Sequence, residues 1–338
     1  MLIPTRLNSM NVDNIVKKIR AAKNLILSTH RQCDGDGLGA ILAIYHALKK
    51  VGMNVRVICV DEVPRKYNFL ESEKYLEVYE DDKDINIEPT DLVMIFDTND
   101  RRLVEPLYTR LEEVSKEILF VDHHPILNEG PEPTPGSFID TTAASTGEIA
   151  YFIIKSLGIR FDEKIARALY TSLAFDTQIF RYVKNSPNTH LICAELLAFE
   201  RHSEEIHRSL FANYTRKKIT YLGKVLSEVE YLADDRIALL SLTKKDLDDH
   251  ELDMDDSRDV IDMIMNVNSV EASALIREES PGVYRMSLRS KGHVEVLSIA
   301  EHFGDGGHLY AAAAETQGDL KSIHESVKKL LLARVDTN

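Results

Sequence analysis

The chain has 338 residues, enough for one large or two ordinary domains with a sizeable core, and its 44% hydrophobic and 28% charged composition excludes disordered and fibrous classes. A net charge of -14 argues against broad contact with duplex nucleic acid, which needs a basic footprint; any nucleic-acid substrate is expected to be short, held by a local pocket and by metal ions. No apolar run is long enough to cross a bilayer, Met1 to Asn11 lacks the apolar centre of a signal peptide, and Cys33, Cys59 and Cys193 form neither a disulfide framework nor a zinc pattern, so a cytoplasmic protein without a membrane partner is expected.

Along residues 10–185, apolar runs alternate with helical patterns. Segments 24–28, 54–60, 91–96 and 117–121 read as strands with helices between them, the rhythm of an α/β domain whose mostly parallel sheet is covered by helices on both faces. Ligands of such sheets collect beyond the carboxyl ends of the strands. Polar residues gather there.

The first group follows the strand 24–28. His30, Asp34 and Asp36 lie on a loop with Gly35 and Gly37, whose conformational freedom lets the three side chains turn toward one point. Imidazole with carboxylates suits a borderline divalent metal, although an ordinary Gly/Asp turn reads equally well from this stretch alone. A calcium-binding EF-hand loop fits poorly, because the twelfth position from Asp34 is Tyr45 and not Glu. Asp97, the first polar residue after the run 92–96, is a second candidate; helix capping is its plain alternative, and Asp100 can serve there instead. In Asp122-His123-His124, neighbours on an extended chain point to opposite sides, so the two histidines are expected to have different tasks, one ligating metal and one facing substrate. Asp122 would fix an imidazole tautomer. Asp176 ends a buried helical pattern and gains weight only from the others, while Ser145, Thr146 and Glu148 read as a helix cap.

Residues 186–230 read as a helical linker and 231–338 as a second, smaller α/β domain, with strands at 236–242, 269–277 and 283–289 and helices at 257–267 and 320–334. His202 and His207 read as surface residues, and the acidic run 246–259 as a solvated face. Arg289 and Ser290, in Ser287 to His293, and Gly306, Gly307 and His308, in Phe303 to Ala312, form the informative cluster. A guanidinium fork and close backbone N–H groups suit phosphate, and an imidazole can add a donor or stack on a base; a plain turn beside an exposed Arg is the alternative.

The order H-x3-D-x-D, D, D-H-H, D-T resembles the DHH phosphoesterase superfamily, and the Gly-Gly-His segment resembles its DHHA1 domain. Two departures stand out: Asp305 replaces a glycine, and Ala313 stands where a final glycine is usual. The resemblance implies two divalent cations, manganese first, with magnesium or cobalt as alternatives. His30, Asp34 and Asp97 would hold one; Asp36, Asp97, His123 and Asp176 would hold the other. It implies two-metal hydrolysis with His124 facing the scissile phosphate, Asp122 beside it, and Arg289, Ser290, Gly306, Gly307 and His308 binding substrate. The implied branch is the short two-domain oligoribonuclease type that also dephosphorylates 3'-phosphoadenosine 5'-phosphate, with short single-stranded RNA or a nucleotide as substrate and a homodimer as a further expectation. A nucleotide- or RNA-binding protein that has lost catalysis is the alternative from another class. Family II inorganic pyrophosphatase is less favoured, because its second domain lacks the Gly-Gly-His segment. Independently of any resemblance, Asp34, Asp36, Asp97 and Asp176 would bring four negative charges together, so some of their pKa values are expected to rise without metal.

Overall fold

In the computed structural model, which describes residues 11–79, 85–126, 130–183, 186–252, 254–257 and 259–335, the first apolar runs form a parallel sheet. Its elements are α1 (Asp13–Ala21), β1 (Asn24–Thr29), α2 (Gly35–Lys50), β2 (Asn54–Cys59), β3 (Leu76–Val78), β4 (Leu92–Phe96), α3 (Leu107–Val114), β5 (Ile118–Asp122), β6 (Phe138–Ile139), α4 (Thr146–Leu157), α5 (Glu163–Asp176), α6 (Asn188–Leu196) and α7 (Ser203–Phe211). The strand order is β3-β2-β1-β4-β5-β6, with every pairing parallel. Alternate residues serve two cores, as a strand covered on both faces requires. Leu25, Leu27, Met94, Phe96, Leu119 and Val121 pack on α1, α2, α4 and α5. Ile26, Val93, Ile95 and Phe120 pack on α3. Strands β3 and β6, three and two residues long, are too short to leave a period in the sequence.

The chain divides into two units, Met1–Asn213 and Tyr214–Asn338. The second contains α8 (Arg216–Ser227), β7 (Glu230–Leu232), β8 (Ile237–Leu242), α9 (Lys244–Asp248), α10 (Asp259–Met265), β9 (Ala272–Ser280), β10 (Val283–Ser290), α11 (Leu297–His302), β11 (Gly307–His308), β12 (Ala311–Gln317) and α12 (Leu320–Val335). Its sheet runs β11-β12-β10-β9-β8-β7, parallel only between β8 and β9. One face buries Leu239, Ile276, Met286 and Leu288 under α11 and α12. The other buries Ala238, Leu240 and Leu275 under α8 and α10.

The helices assigned from sequence to a linker at 186–230 belong instead to the two units. Ile192, Leu196 and Ile206 of α6 and α7 enter the first unit's core, and Tyr221 and Val225 of α8 enter the second's. Their apolar faces require burial, and each finds it against the nearer core. The acidic run is also more than a solvated face: Asp246 pairs with Lys224 at 2.7 Å and Asp259 with Lys218 at 2.7 Å. Among the described residues, no helix is long and apolar enough to cross a membrane.

Candidate active site

Strand register explains why the first site residues meet. Thr29 of β1 pairs with Phe96 of β4, and Phe96 with Val121 of β5. His30, Asp97 and Asp122 are the next residues on three adjacent strands, about 4.8 Å apart from strand to strand. Strand order reverses between β1 and β4, the position at which open α/β sheets bind ligands. Asp97 leaves β4 with φ at +63°, a sharp turn held by its N–H to the Val121 carbonyl at 3.0 Å.

The other ligand candidates arrive on helices. Asp34 caps α2, its Oδ1 accepting from the N–H groups of Asp36 at 2.9 Å and Gly37 at 3.3 Å. Asp36 therefore lies in the first helical turn, and neither Gly35 nor Gly37 has positive φ. The glycines are needed for space, not for the backbone freedom expected from sequence. A Cβ on Gly37 would lie 2.3 Å from Thr29 Oγ1 and 3.1 Å from Asp97 Oδ2; one on Gly35 would meet the Phe175 ring at 2.7 Å. At Gly39 a Cβ would be 2.5 Å from the Ala168 carbonyl oxygen, so α2 and α5 touch backbone to backbone. This close crossing brings Ser172 and Asp176 of α5 to the site. The Ser172 hydroxyl donates to Asp36 Oδ1, which also accepts from Gly147 N at 3.2 Å, while Thr146 N donates to Asp36 Oδ2 at 2.8 Å. Thr146 Oγ1 donates to Asp97 Oδ1 at 3.1 Å.

The side chains converge in overlapping groups. His30, Asp34 and Asp97 each offer a donor atom within 4.8 Å of the others; so do Asp36, His123 and Asp176, and so do Asp97, Asp122, His123 and His124. His30 Nε2 is 3.5 Å from Asp97 Oδ2. His123 Nε2 is 3.5 Å from Asp36 Oδ2, 3.6 Å from Asp176 Oδ2 and 3.8 Å from Asp97 Oδ1. These separations are too long for hydrogen bonds. They match two ligands that each stand about 2.1 Å from one ion, which lie roughly 3 to 3.5 Å apart. Donor chemistry and spacing therefore fit divalent cations; Asp97 belongs to the group with His30 and Asp34 and to the group with Asp122, His123 and His124, while Asp36, His123 and Asp176 form a group without it.

Electrostatics points the same way. Burial, followed by the charge of Asp34, outweighs the donors on Asp36 and pushes its pKa up to about 6. Asp97 is raised well above the usual carboxylate range by burial and then by the charges of Asp36, Asp34, Asp122 and Asp176. Like charges in a dry site demand protons or cations.

Asp122 has a different role from the other carboxylates. Fully buried, it accepts at Oδ1 from His123 N at 2.7 Å and stands 2.8 Å from His124 Nδ1, while Oδ2 accepts from Asn99 Nδ2 at 2.7 Å. Asn99 also donates to the His124 carbonyl at 3.0 Å. Burial opposes ionisation of both partners, but the hydrogen bond and attraction between them prevail, so Asp122 falls below and His124 rises above its ordinary pKa. The histidines do not point to opposite sides. Their ring centroids are 4.4 Å apart, because β5 ends at Asp122 and the alternation ends with it. Their environments still differ, His123 being buried and the His124 side chain 41% exposed.

Sequence reasoning missed Asn99 and Ser172 and gave Thr146 only a capping role. Ser172 and Asp176 are four apart, hence on one helix face, a signal that was available. Asn99 left none. Ser145 does cap α4, accepting from Glu148 N at 3.3 Å. Glu148 instead takes donors from Ser186, Asn188 and Thr189, fastening the chain after α5 to α4.

In the second unit, Arg289 of β10 pairs with Ala311 of β12, which pairs with His308 of β11. Arg289 alternates with the core-facing Leu288, so it sits on the sheet face opposite α11 and α12. Ser290 N donates to the Tyr310 carbonyl at 2.8 Å, and Ser290 Oγ accepts from Gly292 N at 3.1 Å. Gly306 O accepts from Ala313 N at 3.0 Å, and Gly307 has φ of +145°. The backbone of His308 lies in β11; its side chain is outside the described residues.

Comparison with known proteins agrees with this architecture. The profile of the DHH family, N-terminal domain, matches residues 24–173, and that of the DHHA1 domain matches residues 234–335. A Thermus thermophilus protein named bifunctional oligoribonuclease and PAP phosphatase NrnA is 29% identical over 90% of this chain and 87% of its own length. A Streptococcus mutans protein named probable bifunctional oligoribonuclease and PAP phosphatase NrnA is 26% identical over 94% of this chain and 98% of its own. The crystal structure of an exopolyphosphatase-related protein from Bacteroides fragilis shares the fold, with a TM-score of 0.86, 24% identity and 95% coverage of both chains. The chain belongs to the DHH family of phosphoesterases, with a DHHA1 domain following the DHH domain.

Proposed function

We propose that this chain is a cytoplasmic, metal-dependent hydrolase of short single-stranded oligoribonucleotides, releasing mononucleotides, and that it also removes phosphate from 3'-phosphoadenosine 5'-phosphate. The observation that carries this reading is the convergence of His30, Asp34 and Asp97 in one donor group and of Asp36, His123 and Asp176 in another, with Asp97 Oδ1 3.8 Å from His123 Nε2. His30, Asp34 and Asp97 would hold one cation, manganese in the first instance, and Asp36, Asp97, His123 and Asp176 the second. When bound, such cations acidify water and balance charge developing on the phosphate. Asp122 holds His124 by Nδ1 at 2.8 Å, which orients this half-exposed ring to donate to a phosphate or leaving oxygen. Asn99 fixes Asp122 in turn. Ser172, Thr146 and Gly147 keep Asp36 aimed into the site. Arg289, Ser290, Gly306, Gly307 and His308 are the substrate-binding group of the second unit, and the names of the similar proteins support oligoribonucleotide and nucleotide substrates. A charge of -14 keeps duplexes out.

The test is product analysis of end-labelled two- to five-nucleotide RNAs, 3'-phosphoadenosine 5'-phosphate and pyrophosphate with added manganese. Release of mononucleotides or phosphate from the first two is expected, and Asp97→Ala should lower it by about a thousandfold or more, since the carboxylate proposed to serve both cations is lost. Binding of RNA without turnover would refute the reading in favour of a binding protein. Turnover of pyrophosphate alone would refute it in favour of a pyrophosphatase.

A further inference from the structure

The glycine-rich loop of the second unit holds a carboxylate where it would receive an anion. Around Gly306 nothing lies within 4 Å of where a Cβ would stand, so this backbone faces open space. Gly307 is closed on one side, because a Cβ there would lie 2.6 Å from Ala312 Cα. The open N–H of Gly306 is already occupied: Asp305 Oδ1 accepts it at 2.9 Å. Asp305 is exposed, and no ion pair among the described residues engages it.

The register fixes its surroundings. Gly306 lies across from Ala313, and Ala313 pairs with Ser287, two residues before Arg289 on the same face of β10. The carboxylate is therefore hydrogen-bonded to a backbone N–H one strand pair along from the row to which Arg289 and His308 belong. An incoming phosphate meets a fixed negative charge and an N–H that must first be vacated. A terminal phosphate bears close to two negative charges at neutral pH, and a phosphodiester bears one. Repulsion by Asp305 scales with that difference.

We propose that Asp305 makes the loop select by ligand charge, disfavouring substrates that bring a dianionic terminal phosphate and favouring those that bring a monoanionic phosphodiester. This rests on the reading of the second unit as the substrate-binding part. One extra unit charge at roughly 6 Å in a solvent-like dielectric corresponds to about three- to fivefold discrimination. It shrinks as salt is added.

The experiment uses the full chain with manganese and compares kcat/KM for 3'-phosphoadenosine 5'-phosphate with kcat/KM for a diadenosine dinucleotide bearing a 5'-hydroxyl. Wild type, Asp305→Asn and Asp305→Gly are measured at low and high salt. The Asn variant removes the charge but keeps an oxygen for the Gly306 N–H; the Gly variant removes both. The ratio of the two kcat/KM values is expected to rise about three- to fivefold in favour of the bisphosphate in both variants, and less at high salt. A ratio unmoved in both variants, or moved toward the dinucleotide, overturns the proposal while leaving the hydrolase reading intact. Turnover of neither substrate by wild type removes the hydrolase reading and this proposal with it.

Discussion

Metal-free protein should lose stability as pH rises from about 4 to about 6, and a divalent cation should restore it. Asp36 has its folded pKa raised from 3.8 to about 6, chiefly by burial and then by Asp34, so the folded state binds this proton more tightly than the unfolded state. Below pH 3.8 both states are protonated and folding carries no penalty from this group. Through the window the unfolded chain releases the proton first, stability falls, and above the folded pKa the loss is complete. A shift of about two units corresponds to roughly 3 kcal/mol. Asp97 is shifted in the same sense, so it extends the window upward. Asp122 is shifted in the opposite sense and adds stability as pH rises, so the Asp36 contribution has to be isolated by difference. Urea denaturation in EDTA from pH 4 to 8, on wild type and Asp36→Asn, provides that difference. Wild-type stability minus that of the variant should fall by roughly 3 kcal/mol between pH 4 and 7. Manganese should stabilise wild type more at pH 7.5 than at pH 5, because its ligands must be deprotonated. A flat or rising difference, or equal stabilisation at both pH values, would refute the argument that crowded carboxylates demand a cation.

Gly39→Ala should destabilise the protein by about 1–3 kcal/mol, since the methyl would meet the Ala168 carbonyl and Ser172 N of α5, which are backbone and cannot yield by rotating. Isothermal titration with manganese should show weakened binding in the same variant, because Ser172 and Asp176 ride on that helix. Asn99→Leu removes the donor to Asp122 and to the His124 carbonyl, and steady-state kinetics should show a loss of about 10- to 100-fold in kcat. Ile179→Gly should raise the melting temperature, corresponding to up to about 1 kcal/mol, because a β-branched residue at φ of +56° is strained and glycine is not.

Much of the first sheet was legible because long parallel strands buried on both faces leave continuous apolar runs, as in LVMIF before Asp97 and ILFV before Asp122. The carboxyl ends of those runs located His30, Asp97 and the Asp-His-His segment without any knowledge of register. What escaped depended on contacts between distant segments. The strand β12 begins AAAAE, a composition with little strand preference, and is held by pairing with β10 along its whole length. Linker helices α6, α7 and α8 have apolar faces that a sequence reveals, but which core receives each face depends on where the chain travels. Asn99 is one polar residue in a polar stretch until Asp122 is seen beside it.

The glycines of GDGLG show why residue type can be read correctly for the wrong physical reason. In a loop, glycine suggests left-handed backbone; here Gly35, Gly37 and Gly39 all lie in a regular helix, and each is opposed by a different neighbour. Gly35 admits the Phe175 ring, Gly37 admits Thr29 and Asp97, and Gly39 admits the backbone of α5. The sheet alone aligns only the groups at the ends of β1, β4 and β5. Asp36 and Asp176 join them because α2 can lie against both the strand ends and α5 with no side chain between. A helix of ordinary composition at 35–39 would retain all six ligand candidates in the sequence and still hold them too far apart for a shared pair of cations. The spacing of small residues is therefore as much a part of the site as the acids and imidazoles.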